Sequence, residues 1–301
     1  LNSSDRNDDV VSDFSSRGPT FDNRKKPDIT APGSSNSLTN IGIDSTSYLS
    51  DVGYLTKQGT SMSAPHVTGA AGLIVGAFET NWLETKALLI NSAKDINSTG
   101  WDRYTGWGYL DLNQAYYDGN NTLFDSLNKN NSKSYSVYLK NNEKVTLTWD
   151  RFCNTSIVCS TLTDMNLYLY NSNNTLVSSS TSTIDNVEQV VANADGNYHL
   201  KVTSQLEDYN NALTDENYAL AFSGSPFYYN TKLANISISS TSFTTNDNFY
   251  ADVNVINNTH ESRDLNLLLI DSINGTLDTN SFTLAPFETA IKRVSYTFNT
   301  G

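Results

Sequence analysis

The chain has 301 residues, with 32 acidic against 19 basic side chains and a net charge of −13. This charge argues against nucleic acid as a partner, because phosphate binding requires clustered lysine and arginine. No apolar run approaches the roughly eighteen residues of a membrane-spanning helix. Length alone predicts about two domains, and the sequence patterns below predict three: residues 1–118, 121–225 and 232–301.

Residues 59–67, GTSMSAPHV, place Ser61 in the first turn of a predicted helix. Amide N–H groups in that turn lack intrahelical partners, so the Ser61 N–H can help to bind the oxyanion that forms beside a serine nucleophile. Gly59 permits a close backbone approach. Pro65 is expected within the first turn, where its missing N–H removes no helical hydrogen bond. The pattern predicts that Ser61 is a catalytic nucleophile.

This segment resembles the G-T-S-M-[AS]-x-P-H-V signature of the subtilisin-like serine peptidases, the subtilases. Residues 14–19 (FSSRGP) and 25–33 (KKPDITAPG) resemble two family blocks that precede the serine, and residues 106–111 (GWGYLD) resemble its closing element. The lipase-type G-x-S-x-G elbow fits less well, because Ser63 occupies its fifth position. The resemblance implies an α/β subtilisin-like fold for residues 1–118, with a mostly parallel sheet and a buried serine helix.

The family's catalytic aspartate and histidine, in D-[ST]-G and H-G-T blocks, and its oxyanion-hole asparagine have no matching segments before Ser61. Because residue 1 is leucine and the last residues are strand-like, we expect a fragment of a longer protein that is inactive by itself. His66 is turned about 140° away from Ser61 on a helix, so we expect a structural role for it. His199 and His260 are predicted to lie on the surface.

Two helices are predicted in the first segment. The first, over residues 61–78, carries no charge and has apolar residues at helical spacing, so we expect it to be buried. The second begins near Asn81, where Asn81 and Glu84 predict a capping box, and should be an amphipathic surface helix. The turn-rich residues 118–121 predict a boundary that few contacts cross.

Residues 121–225 change to a period of two, which is typical of a β-sandwich. Trp149, the segment DMNLYLY at 164–170 and the segment GNY at 196–198 resemble the pre-peptidase C-terminal domain of secreted peptidases. The second aspartate of that family's D-x-D-L motif is Asn166 here, so we assign no metal at Asp164, and a structural calcium ion would have unknown ligands. We expect this segment to fold without the peptidase part.

Residues 232–301 form a third alternating segment that resembles a CARDB-like or other immunoglobulin-like module. We expect it to lack its final strand, which would leave an unpaired edge that encourages aggregation. Contact of the β-modules with a glycan or a cell surface is an expectation by analogy of fold alone.

Cys153 and Cys159 are the only two cysteines. We favour a disulfide between them in an oxidising compartment. Two reduced thiols or half a metal site are the alternatives, although no histidine or further cysteine stands nearby to complete a zinc site. Sequons of the type N-x-[ST], such as that of Asn97, would permit glycosylation outside the cell. We expect an extracellular or cell-surface location.

These observations predict the C-terminal part of a secreted serine endopeptidase that hydrolyses peptide bonds through a Ser61 acyl-enzyme and needs no cofactor for the chemistry. Its partners would be protein or peptide substrates. The alternative is a cell-surface adhesion protein that keeps a degenerate subtilase scaffold. Upstream sequence would separate the two, because an enzyme needs the D-[ST]-G and H-G-T blocks.

Overall fold

The computed structural model describes residues 10–34, 42–128, 130–152, 161–206, 215–224, 232–238, 248–256, 263–271, 275–285 and 288–297. The cysteine pair at 153 and 159 and His260 lie outside the described residues, so their predicted roles stay predictions. By packing, the chain divides into two compact units, Leu1–Pro226 and Phe227–Gly301.

In the described part of residues 10–118, a short β-hairpin is followed by three helices. Strands β1 and β2 pair antiparallel, whereas the single parallel contact described in this part of the chain joins Thr30 to Tyr109. The mostly parallel sheet implied by the resemblance therefore remains an expectation. The elements are β1 (Ile43–Thr46), β2 (Tyr54–Lys57), α1 (Thr60–Phe78), α2 (Trp82–Asn91) and α3 (Leu112–Tyr117).

Helix α2 starts where the sequence predicts. The Oδ1 atom of Asn81 accepts the N–H of Glu84 at 3.0 Å, and Oε2 of Glu84 accepts the N–H of Asn81 at 3.1 Å. The predicted capping box is confirmed. It satisfies two backbone donors at a helix end that has no intrahelical acceptors for them.

The rest of the first unit is a sandwich of two antiparallel sheets, in the strand orders β3-β11-β5-β9 and β4-β10-β7-β6, with β8 paired to β7. Alternate side chains of β5 and β11, such as Leu147, Trp149 and Leu220, are buried between the sheets. The predicted period of two is confirmed. The strands are β3 (Thr122–Asn128), β4 (Ser132–Leu139), β5 (Lys144–Trp149), β6 (Arg151–Phe152), β7 (Thr161–Asn171), β8 (Leu176–Ser180), β9 (Val187–Val191), β10 (Gly196–Leu206) and β11 (Asp215–Phe222).

The other face of sheet β3-β11-β5-β9 lies against α2. Ala219 and Ala221 of β11 point to this side and join a buried apolar cluster with residues of the three helices. Helix α2 is thereby enclosed, so the prediction of a surface helix is wrong. The buried members of the cluster are Ala70, Ile74, Leu83, Ala87, Leu88, Leu89, Ala115, Ala219 and Ala221.

Buried hydrogen bonds cross the same interface. The Oγ1 atom of Thr148 donates to the carbonyl of Leu83 at 3.0 Å, and Oγ1 of Thr146 donates to Oδ1 of Asn91 at 2.9 Å. The prediction that few contacts cross the boundary at residues 118–121 is wrong. The polar residues Thr146 and Thr148, which alternate with the apolar residues of β5, face helix α2 rather than water. Each bond satisfies a group whose burial would otherwise destabilise the fold.

Helix α1 is buried along one side only. Ala70 and Ile74 are buried, whereas Leu73 and Val75 are 61% and 44% exposed. A Cβ atom built on any of the three glycines within the helix meets no heavy atom within 4 Å. The predicted burial of this helix is therefore wrong for the described residues, since α2, α3 and the alanines of β11 cover one side.

The sandwich interior also contains a carboxyl group, that of Glu188 on β9. Glu188 is paired with Leu147 in register and is 0% exposed. It accepts hydrogen bonds from the hydroxyl of Ser180 and, at 2.6 Å, from the N–H of Ser182. Burial outweighs these bonds and raises the pKa of Glu188 to about 7.

This pKa predicts a pH dependence of stability. Between the ordinary value of 4.5 and about 7, the folded protein holds a proton at Glu188 that the unfolded chain has released. The contribution of Glu188 to stability is therefore complete below that window and is lost as the pH rises through 7, by at most roughly 3 kcal/mol.

The variant Glu188→Gln should flatten the fall in the free energy of unfolding with pH, measured by denaturant titrations from pH 4.5 to 8. The exposed Glu79→Gln is the control, and an unchanged slope in Glu188→Gln would contradict the assignment.

The described residues of the second unit form five strands in two antiparallel sheets, β12-β13-β16 and β14-β15. Val253, Val255 and Leu284 form its buried core, which confirms the predicted alternation along β13. The strands are β12 (Lys232–Ile238), β13 (Asn248–Ile256), β14 (Arg263–Asp271), β15 (Gly275–Leu284) and β16 (Thr289–Thr297).

Side chains of β15 form hydrogen bonds with the backbone of β16, on the side of β16 opposite to β13. The Oδ2 atom of Asp278 accepts the N–H of Ser295 at 2.7 Å, and Nδ2 of Asn280 donates to the carbonyl of Arg293 at 2.8 Å. These bonds take up backbone groups that would be open in a bare edge strand.

Candidate active site

Two glycines fix the entry to α1. Gly59 caps the helix with φ 140°, a value that favours glycine, and its N–H donates to the carbonyl of Gly33 at 2.9 Å. A Cβ atom on Gly33 would lie 2.5 Å from Oγ of Ser63. The absence of side chains at these two positions lets the 25–33 segment pass directly beside the helix start.

Ser61 is the second residue of α1 and its side chain is exposed. Its N–H has no carbonyl four residues earlier within the helix, so the amide is positioned to donate to a negatively charged group beside the hydroxyl. Pro65 is the sixth helical residue, beyond the first turn where we expected it. The missing N–H of Pro65 removes the bond that the carbonyl of Ser61 would otherwise accept.

A cleft of about 430 Å³ opens at Ser61. One wall is the start of α1 and the other is the hairpin β1–β2, so a group bound in the cleft would lie beside the serine. Its lining includes Met62 and His66 of the helix and Asp44, Tyr48 and Lys57 of the hairpin. A concave site beside a reactive side chain is the usual form of a catalytic centre.

Sequence reasoning missed the hairpin wall of this cleft. Strands β1 and β2 have four residues each, which is too short for a periodic signal. The ammonium of Lys57 lies 5.4 Å from the ring centroid of Tyr48, within the range of a cation–π contact. The sequence offers no other signal for this wall, because a segment as long as residues 34–58 does not have to lie beside the helix that follows it.

The two described histidines, His66 and His199, are not hydrogen-bonded to Ser61. Nδ1 of His66 lies 2.7 Å from the carbonyl of Met62. The structural role predicted for His66 is consistent with this contact. His199 is exposed on β10, on the outer face of the sandwich.

Among the described residues, no three histidine, cysteine, aspartate or glutamate side chains are grouped so that they could hold a metal ion. In the same part of the chain, no helix combines the length and the apolar character that a bilayer crossing requires.

The part of the chain that forms this site is similar to known proteins. The model of the Subtilase family matches residues 2–108. The minor extracellular protease Vpr of Bacillus subtilis is 36% identical over 143 residues, covering 44% of this chain and 16% of Vpr. The serine protease AprX of the same organism is 46% identical over 79 residues, covering 25% of this chain and 18% of AprX. Fervidolysin of Fervidobacterium pennivorans is 45% identical over 60 residues, covering 19% of this chain and 8% of fervidolysin.

The chain spans less than a fifth of the length of each of these relatives. Residues 2–108 are thus similar to subtilisin-like serine proteases. Among solved structures, PliG of Aeromonas hydrophila, a periplasmic inhibitor of g-type lysozyme, is 15% identical with a TM-score of 0.23, covering 34% of this chain and 82% of PliG. That likeness is too low to carry an argument.

Proposed function

We propose that residues 10–118 are the nucleophile-bearing part of a secreted serine endopeptidase, in which Ser61 forms the acyl-enzyme. The observation that carries the proposal is the exposed Ser61 at the amide-rich start of α1, facing a cleft of about 430 Å³. The match of residues 2–108 to the Subtilase family supports it.

In the proposed reaction the Ser61 oxygen attacks the carbonyl carbon of a peptide bond while a general base takes the hydroxyl proton, and the Ser61 N–H donates to the resulting oxyanion. The C–N bond then breaks, the amine leaves with that proton, and the acyl-enzyme remains. The general base and the aspartate that orients it are proposed to come from sequence outside these 301 residues, because no D-[ST]-G or H-G-T block precedes Ser61. The chain alone is therefore proposed to be inert.

Secretion is part of the proposal. Two relatives are named as extracellular, the protease Vpr of Bacillus subtilis and an extracellular serine protease of Serratia marcescens that is 39% identical over 64 residues. A substrate in that compartment would be a protein or peptide.

Reaction with a fluorophosphonate probe tests the proposal. The 301-residue chain should remain unlabelled, because an unactivated serine reacts poorly, whereas the longer parent protein should be labelled at Ser61. Peptide mass spectrometry locates the adduct, and heat-denatured parent protein is the control for non-specific reaction.

Rapid labelling of the 301-residue chain would show that another base activates Ser61. An unlabelled parent would exclude the peptidase and favour the adhesion protein with a degenerate scaffold.

A further inference from the structure

The outer face of sheet β4-β10-β7 carries a row of aromatic and polar side chains. In register, Tyr170 of β7 lies opposite His199 of β10, and Tyr168 lies opposite Lys201. On the other side of β10, His199 and Lys201 lie opposite serines 136 and 134 of β4, and Asn197 lies opposite Tyr138. We call the seven residues Ser134, Ser136, Tyr138, Tyr168, Tyr170, His199 and Lys201 the tyrosine face.

The tyrosine face points away from the sandwich core. The residues that alternate with it, among them Leu167, Leu169 and Leu200, are completely buried between the sheets. His199 and the two serines are exposed, and the three tyrosines and Lys201 are partly exposed. Because side chains on a strand alternate between its two faces, this face is available to a ligand.

Two of the tyrosines form a continuous aromatic surface. The rings of Tyr168 and Tyr170 are stacked, with centroids 6.4 Å apart and planes inclined by 28°. An aromatic ring has a negative π face, which attracts the weakly positive C–H groups on the flat side of a sugar ring. Neighbouring strands are about 4.8 Å apart, so the polar groups of β10 lie beside the rings and the serine hydroxyls of β4 lie one strand further, about 10 Å from β7. Both sets can bond to the hydroxyls of sugar units stacked on the rings.

The charge of the tyrosine face differs from that of the protein. The chain carries −13 overall, yet the seven residues include one lysine, one histidine and no carboxylate. Asp164, four residues before Tyr168 on the same side of β7, is 7% exposed and so adds little negative charge to the surface. An acidic ligand would find a complementary charge here, whereas the net charge of the chain would repel it.

We propose that the tyrosine face binds an acidic polysaccharide, with sugar rings stacked on Tyr168 and Tyr170 and a sugar carboxylate bonded to the ammonium of Lys201. The stacked rings provide recognition of the sugar, and the lysine provides selection of the acid by a charge-assisted hydrogen bond. This binding is independent of Ser61 and of the proposed peptidase activity.

Affinity electrophoresis of the full 301-residue chain tests the proposal, with polygalacturonate as the acidic polysaccharide and dextran as the neutral one. Polygalacturonate should retard the protein and dextran should not. The double variant Tyr168→Ala/Tyr170→Ala and the single variant Lys201→Glu should each weaken binding at least tenfold. The conservative Tyr168→Phe/Tyr170→Phe should retain most of the binding, since it keeps both rings.

Matched controls come from the second unit. Tyr250→Ala removes another strand tyrosine, which is exposed, and Lys292→Glu reverses the charge of another lysine, so both should change the affinity less than twofold. Thermal unfolding by circular dichroism checks that each variant is folded. If the double alanine variant does not fold, Lys201→Glu and the phenylalanine variant decide the result.

Three results would overturn the proposal. The first is the absence of retardation by polygalacturonate, and the second is retardation that neither Lys201→Glu nor the loss of the two rings reduces. The third is equal binding of poly-glutamate, which would show a general attraction to polyanions without recognition of sugar.

Discussion

Expressed without the preceding segment, residues 121–224 should aggregate or unfold without a cooperative transition, contrary to the expectation from the sequence. Their sheet β3-β11-β5-β9 would expose Ala219 and Ala221 and would lose the bonds that Thr146 and Thr148 make to α2. Residues 10–118 should fail in the same way, because α2 would lose its cover. Circular dichroism and size-exclusion chromatography of the two pieces and of the whole chain measure this result.

A point substitution tests the same interface in the intact chain. Ala219→Glu places a carboxylate among the buried residues of α2 and should remove several kcal/mol of stability, enough to abolish the transition of the first unit. Ala194→Glu, at an exposed alanine of the same sandwich, is the control and should unfold like the parent sequence. If isolated residues 121–224 unfold cooperatively with the same midpoint temperature as the whole chain, the interface is not needed for folding.

In the longer protein that the proposed function requires, Ser61→Ala should lower the rate of peptide hydrolysis by about 10⁶-fold, the loss that follows removal of the nucleophile from a serine triad. The neighbouring Ser63→Ala is the matched control. Ser63 lines a separate cavity with Thr60 and Val67, so its hydroxyl should not take part in the chemistry and turnover should stay within tenfold. Steady-state kinetics on a peptide substrate gives both values.

The pair of variants separates chemistry from folding. If Ser61→Ala retains activity while Ser63→Ala loses it, the nucleophile has been assigned to the wrong serine. If both variants lose activity and also unfold at lower temperature, the effect is structural, and the labelling experiment then decides whether Ser61 reacts.

The sequence predicts elements whose cause is local. The capping box at Asn81 depends on residues three positions apart, and the alternation of β5 and β11 depends on the pleat of a single strand. What covers α2 could not be predicted, since an amphipathic pattern shows that one face must be buried but not which partner buries it. Thr146 and Thr148 have the polar character of outward-facing residues, yet they bond to a helix that is distant in sequence.

In the candidate site, too, the local features were predictable from the sequence and the long-range contacts were not. Ser61 and Gly59 form a local pattern, and the structure places them at a helix start. The wall formed by Asp44, Tyr48 and Lys57 arises because a hairpin folds back over that start, which a single sequence does not show. Likewise the residues of the tyrosine face come from three strands. Only the register of those strands shows which side chains are neighbours.

The side chains of Asp278 and Asn280 act on β16 as a surrogate for the neighbouring strand that was expected to be missing. By occupying the Ser295 N–H and the Arg293 carbonyl, they leave fewer free groups with which a second chain could extend the sheet. A module protected in this way can reach a high local concentration with less tendency to polymerise through that edge. Two side chains are enough to occupy these backbone groups, so no additional strand is needed to cover that part of the edge.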